Sequence, residues 1–370
     1  MSYPAPERFE TVRFDGRELT GAFGDSVTVL PIVVALAVVT PLSLAHTLVG
    51  FGVFQIVWGL HYGVPLSVEP MKALAGLAIA GTITYGELVA AGLLAGGVLL
   101  FVGRFRLLAV VDRLVGEPVV RGVQLAVAGL LAFSGLELAA AGPTVAVAAV
   151  LLAGVAVALG SGRSSILLVL AFGGLIALWR VGVPTVSLPA ATTFAGGGPT
   201  LTAGALEATA GQIAMTVGNA AMATALLCSD LFDRELSPDQ LAESMGVMSL
   251  LAVPLGGLPM CHGSGGLAGK HAFGARTGGA NLLLGGLYLL AALVAGLVVA
   301  FPLAVLGVLL CVVAVGLART ALRTEHLGLT LAVGLVGAVG SIGVAFALGA
   351  AGWLVSRRLA DGRRLGTARR

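Results

Sequence analysis

Ionisable and hydroxyl side chains are scarce in this chain, and a few of them fall inside or beside apolar runs. Asp25 lies in the first long apolar stretch. Ser67, Glu69, Pro70, Met71 and Lys72 lead into a short one, and Cys261, His262, Gly263, Ser264, Gly265 and Gly266 lead into another. Charged groups at bilayer depth are expensive to desolvate, so they are functional candidates by default. The chemistry on offer is anion recognition. Lys72 supplies positive charge, Ser67 and Ser264 supply hydroxyls, and the glycines allow backbone amides to approach a ligand closely. Asp25 and Glu69 are the candidates for taking up a proton together with the anion. The competing role for Glu69 is a fixed ion pair with Lys72 that orients the loop.

Cys261 beside His262 also raises a membrane enzyme with a thiol nucleophile. Neighbouring residues rarely point at one another, and no third group is placed to orient the imidazole. Cys261, His262 and His271 lack any standard metal-ligand spacing. No enzymatic activity, metal or cofactor is therefore expected.

These residues need elements to hold them. The chain has 370 residues, 58% hydrophobic and 11% charged, with 55 glycines and a mean hydropathy of +1.03. A soluble domain carries about 25% charge, so the composition demands a polytopic membrane protein with the lipid bilayer as its main partner. The net charge of +3 gives no reason to expect nucleic acid. Only two of the 21 basic residues are lysines, a bias that reads as genomic composition. The three cysteines sit in apolar stretches and imply no disulfide framework. The first twenty residues are polar and mixed in charge, unlike a cleavable signal peptide.

Apolar runs and breakers predict an all-α fold with about fourteen transmembrane segments. Twelve are long, whereas those over 70–82 and 262–272 are too short to cross a bilayer. Gly63-Val-Pro65 and Gly257-Leu-Pro259 stand 194 residues apart, each just before a short segment. Leu74-Ala-Gly76 and Leu267-Ala-Gly269 repeat within those segments, and Gly24-Asp25 and Gly211-Gln212 open the first helix of each half. Two seven-segment repeats follow, over 21–183 and 205–358, joined by an extracellular linker over 184–204. A cytoplasmic segment over 1–20 precedes them and a basic cytoplasmic tail over 359–370 follows. Seven is odd, so the second repeat inserts upside down, as in secondary transporters with broken helices. Arg104, Arg106, Arg113, Arg163, Arg234, Lys270, Arg276, Arg319, Arg323 and the arginines of the tail fall on one side. The positive-inside rule makes that side cytoplasmic and places the chain in the plasma membrane with both termini inside.

A half-helix that starts at mid-membrane leaves about four N–H groups unpaired and carries roughly half a positive charge at that end. Two such N-termini, one per repeat, form a receptor for an anion. Pro and Gly also kink ordinary helices, but here they recur at matching places in both halves.

Gly24-Asp-Ser-Val-Thr-Val-Leu-Pro31, Val68-Glu-Pro-Met-Lys72 and Pro259-Met-Cys-His-Gly-Ser-Gly-Gly-Leu-Ala268 resemble the molybdate transporter family, a branch of the sulfate permease superfamily. Glu117-Pro-Val-Val-Arg-Gly122 is similar to a segment before the fifth helix of sulfate permeases. The resemblance spans about residues 20 to 320. It implies the fold shared with uracil permease, with core and gate domains, broken third and tenth helices, and homodimers among relatives. It also implies a tetrahedral oxyanion substrate, molybdate before sulfate, bound by Ser67, Glu69, Pro70, Met71, Lys72, Gln212, Asn219, Cys261, His262, Gly263, Ser264 and Gly265. An anion channel of the same fold is the nearest alternative. Glu69 stands where the family usually has Gln, a polar pair expected between Gln212 and Asn219 is missing, and no regulatory domain follows the last helix.

Overall fold

The computed structural model describes residues 12–160, 165–183, 185–190 and 192–367, with side chains followed to residue 358. Residues 1–11 of the expected N-terminal segment, Arg163, Arg369 and Arg370 lie outside the described residues. Each of the fourteen apolar stretches contains a helix. In the first half these are α1 (Gly16–Val39), α2 (Leu44–Tyr62), α3 (Lys72–Ile79), α4 (Tyr85–Arg104), α6 (Glu117–Ala140), α7 (Pro143–Ala158) and α8 (Ser165–Val181). A short helix, α5 (Leu108–Val115), joins α4 to α6 and was not expected from the sequence. In the second half α9 (Ala203–Met215) passes through a π-helical turn (Thr216–Met222) into α10 (Ala223–Phe232). Then come α11 (Pro238–Ala252), α12 (Ser264–Ala272), α13 (Gly279–Ala292), α14 (Leu303–Ala321), α15 (Leu327–Val339) and α16 (Ile342–Thr367).

Six helical spans are long and apolar enough to cross a membrane by themselves: α1, α2, α4, α6, α14 and the continuous run Ala203–Phe232. The two short segments begin at Lys72 and Ser264, two residues inside their expected starts. Helix α16 runs unbroken past residue 358, through the expected boundary with the basic tail. Residues 185–190 and 192–202 lie over the core, where the N–H groups of Ser187, Phe194 and Thr200 donate to the carbonyls of Leu293, Pro254 and Gly86.

The helices pack as two groups. α1 to α4 and α9 to α13 form one, the core; α6 to α8 and α14 to α16 form the other, the gate. Within the core the halves interlock, because α1 lies along α12 and α9 packs on α3. Small residues permit the first crossing: a Cβ on Gly24 would overlap the backbone of Gly269 and Lys270. Where core meets gate, glycine again faces a branched side chain, with Gly211 against Ile342 and Gly218 against Val120.

Two short extended stretches, β1 (Glu69–Pro70) and β2 (Met260–Cys261), pair antiparallel just before α3 and α12. Glu69 lies opposite Cys261 and Pro70 opposite Met260. Met71 adds a bond from its N–H to the Pro259 carbonyl at 3.0 Å. Non-helical backbone is tolerated at membrane depth only where protein satisfies it, and each stretch here satisfies the other.

The N-terminal end of α1 is fixed by two acids. Asp15 caps the helix, and the N–H groups of Glu18 and Arg17 that it accepts hold its carboxyl below the usual range. Glu18 is buried and reaches the start of α13, accepting from the N–H groups of Arg276, Thr277 and Ala280 at 2.9, 2.9 and 3.2 Å. Glu18→Ala is expected to cost about 2–3 kcal/mol, because buried donors left without an acceptor lose their full desolvation energy. Thermal unfolding in detergent checks this; a change below about 0.5 kcal/mol, the range of an ordinary surface substitution, would exclude the anchoring role.

Candidate anion-binding site

Glu69 is the hub of the site. Its Oε1 accepts the Gly266 N–H at 2.8 Å and lies 3.0 Å from Ser67 Oγ, while Oε2 makes an ion contact with Lys72. Gly266 is the third residue of α12, so the carboxylate occupies the N-terminal end of that half-helix. A Cβ on Gly263 would overlap the Glu69 carboxylate, and one on Gly266 would overlap Glu69, Ser67 and Asp25. Two glycines expected to bring amides to an anion thus make room for Glu69. Gly265 faces open space, and among the described residues the N–H groups of Ser264 and Gly265 meet no acceptor.

Ser67 links Glu69 to Asp25, whose Oδ1 lies 2.6 Å from the same hydroxyl. A serine carries one proton, so it satisfies only one of these carboxylates. The other oxygen–oxygen contact is attractive only when a carboxyl proton lies on it. Asp25 Oδ2 accepts from Gln55 Nε2 at 2.8 Å and stands 3.2 Å from Lys270 Nζ.

Lys270 is the residue that sequence reasoning misplaced. It was counted as an inner-loop charge, yet it is fully buried on α12. Its ammonium donates to Asn281 Oδ1 at 2.7 Å, Gln55 Oε1 at 2.9 Å and the Leu66 carbonyl at 3.4 Å. A signal was present: the chain's only two lysines, Lys72 and Lys270, both pair with the buried acids. Nineteen arginines elsewhere show that a cation as such did not require lysine (21 basic residues less two). A compact ammonium fits a closed polar pocket that a planar guanidinium overfills. The two acids and two lysines sum to zero formal charge.

Gln212 fills the matching position at α3. Its Oε1 accepts the N–H groups of Ala73 and Leu74 at 3.0 and 3.2 Å, and its Nε2 donates to Thr216 Oγ1 at 2.8 Å. Thr216 opens the π-helical turn, which also presents Asn219, and Asn219 Oδ1 accepts from Ser264 Oγ at 3.0 Å. π-Turns recur at functional sites; this one holds Thr216 against Gln212, a single polar residue where the family resemblance leads one to expect a pair.

Glu69, Lys72, Gln212, Thr216, Asn219, Cys261, His262 and Gly263 share a cavity of about 10 Å³, roughly one water in size. A groove of about 400 Å³ between α6, α14 and α15 is lined only by apolar residues such as Leu125, Val315 and Leu331, so it offers an anion nothing. Ser67 contacts Asp25 and Glu69 from outside the cavity lining. Pro70 is buried in the strand pair, and Met71 is buried just beyond it at the cap position of α3. His262 is held at both nitrogens: Nδ1 donates to the Ser67 carbonyl at 2.8 Å, and Nε2 meets Ser244 Oγ at 2.7 Å. Cys261 Sγ donates to the Pro70 carbonyl at 3.6 Å, so thiol and imidazole are turned to different partners.

A family described as "Molybdate transporter of MFS superfamily" matches this chain twice, over residues 17–131 and 204–317. The matches fall one in each half, from α1 into α6 and from α9 into α14. Molybdate transporter 1 of Arabidopsis thaliana is 32% identical, over 82% of this chain and 79% of the relative. Molybdate transporter 2 of the same plant is 29% identical, over 82% and 78%. Two solved structures share the fold. The transmembrane domain of a cyanobacterium bicarbonate transporter, BicA, superposes with a TM-score of 0.63 at 19% identity, over 92% of this chain and 96% of that one. The murine anion transporter Slc26a9 in its inward-facing state gives 0.65 at 11%, over 97% and 71%. At these identities the structures speak to architecture alone, whereas the relatives and the paired family match identify the chain: it is a multi-pass membrane transporter, not an enzyme, and belongs to the molybdate transporter family.

Proposed function

We propose that this protein is a secondary active transporter that moves molybdate across the plasma membrane, binding it between the N-termini of α3 and α12 and taking up a proton with it. The observation that carries the reading is the convergence of both half-helix N-termini, Lys72 and Glu69 on one small cavity, with Ser67 and Asp25 linked to Glu69 from behind it. Backbone N–H groups and the aligned peptide dipoles favour an oxyanion there. Lys72, Ser264 and Asn219 add donors around it.

The hydrogen count at Ser67 supports proton coupling. With both acids ionised the cluster is neutral, and one hydroxyl proton faces two carboxylates. Adding a proton to Asp25 or Glu69 completes both contacts and gives the cluster one positive charge. An anion is held more strongly by that form, so proton and anion promote each other's binding. Movement of the core against the gate then carries the loaded site across, and at Gly211 and Gly218 the core offers only a glycine to Ile342 and Val120 of the gate. Arg104, Arg113, Arg276 and Arg319 near helix ends support a cytoplasmic location for both termini. Pairing as a homodimer belongs to the same proposal.

Uptake of molybdate by protein reconstituted into vesicles tests this. Wild-type protein is expected to accumulate molybdate when the outside is made acidic, by about tenfold per unit of pH difference at zero membrane potential if one proton moves with each molybdate. Glu69→Gln keeps the shape and loses the titrating group, so its uptake is expected to be flat with pH. Unchanged pH dependence in Glu69→Gln would remove Glu69 from coupling, and saturable accumulation without a proton gradient would remove the proton altogether.

A further inference from the structure

At the start of α3 two donors that an oxyanion needs are already in use. At α3 the N–H groups of Ala73 and Leu74 both point at one oxygen, Gln212 Oε1. This oxygen belongs to a different element, α9, and caps α3 across the repeat boundary. The ordinary cap position, Met71, has no side-chain oxygen and contributes no capping bond. The Gln212 side chain is itself buried, and its other end is tied to Thr216 Oγ1, the first residue of the π-helical turn. The cavity beside it has room for about one water. An anion with four oxygens therefore cannot enter with Gln212 in place.

We propose that Gln212 is a built-in stand-in for the substrate: its carboxamide oxygen occupies the place of an oxyanion oxygen at the α3 N-terminus, and the bound anion displaces it. This rests on the oxyanion reading of the site and adds what the empty site does. The displaced side chain gives up the Ala73 and Leu74 amides to the anion and opens the volume the cavity lacks. Because its amide nitrogen holds Thr216, displacement also releases the start of the π-helical turn that carries Asn219. Occupancy is thereby reported to the one long core helix that packs against both α6 and α16 of the gate. The stand-in lowers apparent affinity, since every bound anion must first break two hydrogen bonds. In return the Ala73 and Leu74 amides are not left bare inside the membrane when the site is empty.

The idea makes a prediction opposite in sign to that for a direct ligand. Purified full-length wild-type, Gln212→Leu and Gln212→Asn proteins are titrated with sodium molybdate by calorimetry, each shown folded by its thermal transition. Leucine keeps the volume and removes the acceptor; asparagine keeps the amide and shortens its reach. Both variants are expected to bind molybdate about tenfold tighter than wild type, the worth of a lost competing bond. Hydrogen exchange gives a second readout. In wild type the amides of Ala73 and Leu74 stay protected with or without molybdate, whereas in Gln212→Leu they exchange faster when empty and slow again on molybdate addition. Equal or weaker binding by the folded variants overturns the stand-in, as does exchange at Ala73 and Leu74 that molybdate fails to slow. Absence of molybdate binding by wild-type protein would sink the oxyanion reading and the stand-in together.

Discussion

Gly266→Ala is expected to abolish transport and to destabilise the protein by about 3–5 kcal/mol, the cost of breaking a buried charged network. The added methyl would overlap Glu69, Ser67 and Asp25 together. None of these can move aside cheaply. Glu69 is held by the Gly266 N–H and Lys72, Ser67 is flanked by the two acids, and Asp25 is fixed by Gln55 and Lys270. Overpacking an ordinary core costs about 1–3 kcal/mol; here the displaced groups are charges that would lose their partners. Gly265→Ala is the matched control, because a methyl there meets open space, and its stability should stay within about 0.5 kcal/mol of wild type. Thermal unfolding and vesicle uptake of both variants settle the matter. Wild-type transport by Gly266→Ala would mean that the Glu69–Ser67–Asp25 chain is not assembled as described.

Lys270→Met is the second large effect. Methionine has a similar length but no charge, so Asp25 would lose its cation in a closed pocket and keep only Gln55 and Ser67 as donors. Removing one partner of a buried pair costs about 3–5 kcal/mol, much of it the penalty on the group left behind. The double variant Asp25→Asn/Lys270→Met removes both charges and is expected to recover at least half of the loss, because the interaction energy of neighbours in one network is not additive. Thermal unfolding of the two single variants and the double variant measures that coupling. Additive losses would show that the two residues do not share a network. Uptake in the double variant has separate value, since coupling that survives without Asp25 assigns the proton to Glu69.

Much of the site was legible from residue type and spacing. Pro70 and Lys72 marked the start of one half-helix, and the Gly263-Ser264-Gly265-Gly266 run marked the other, because breakers in an apolar run leave few alternatives. The Glu69–Lys72 pair was also legible, since residues three apart at a helix start lie side by side. Lys270 was not. A basic residue near the end of a short apolar segment has the same sequence signature whether it reaches the interface or turns inward. Only the acceptors around it, drawn from α1, α2, α13 and the Leu66 carbonyl, decide between the two. Helix α5 escaped for a related reason, being eight residues with a polar face between two longer apolar runs.

The apolar composition, the two interrupted segments and the repeat between halves determined a membrane fold with paired half-helices from sequence alone. These features follow from local chemistry: bilayer length, helix breakers and unpaired N–H groups act on a few consecutive residues. Which oxygen sits on each half-helix was decided only by tertiary structure. Sequence suggested an anion at both N-termini, but α3 is capped by Gln212, 138 residues beyond Leu74, and α12 by Glu69, 197 residues before Gly266. Such partners are set by how α1 crosses α12 and α9 crosses α3. A crossing depends on the packing of whole helices, and no local pattern encodes it.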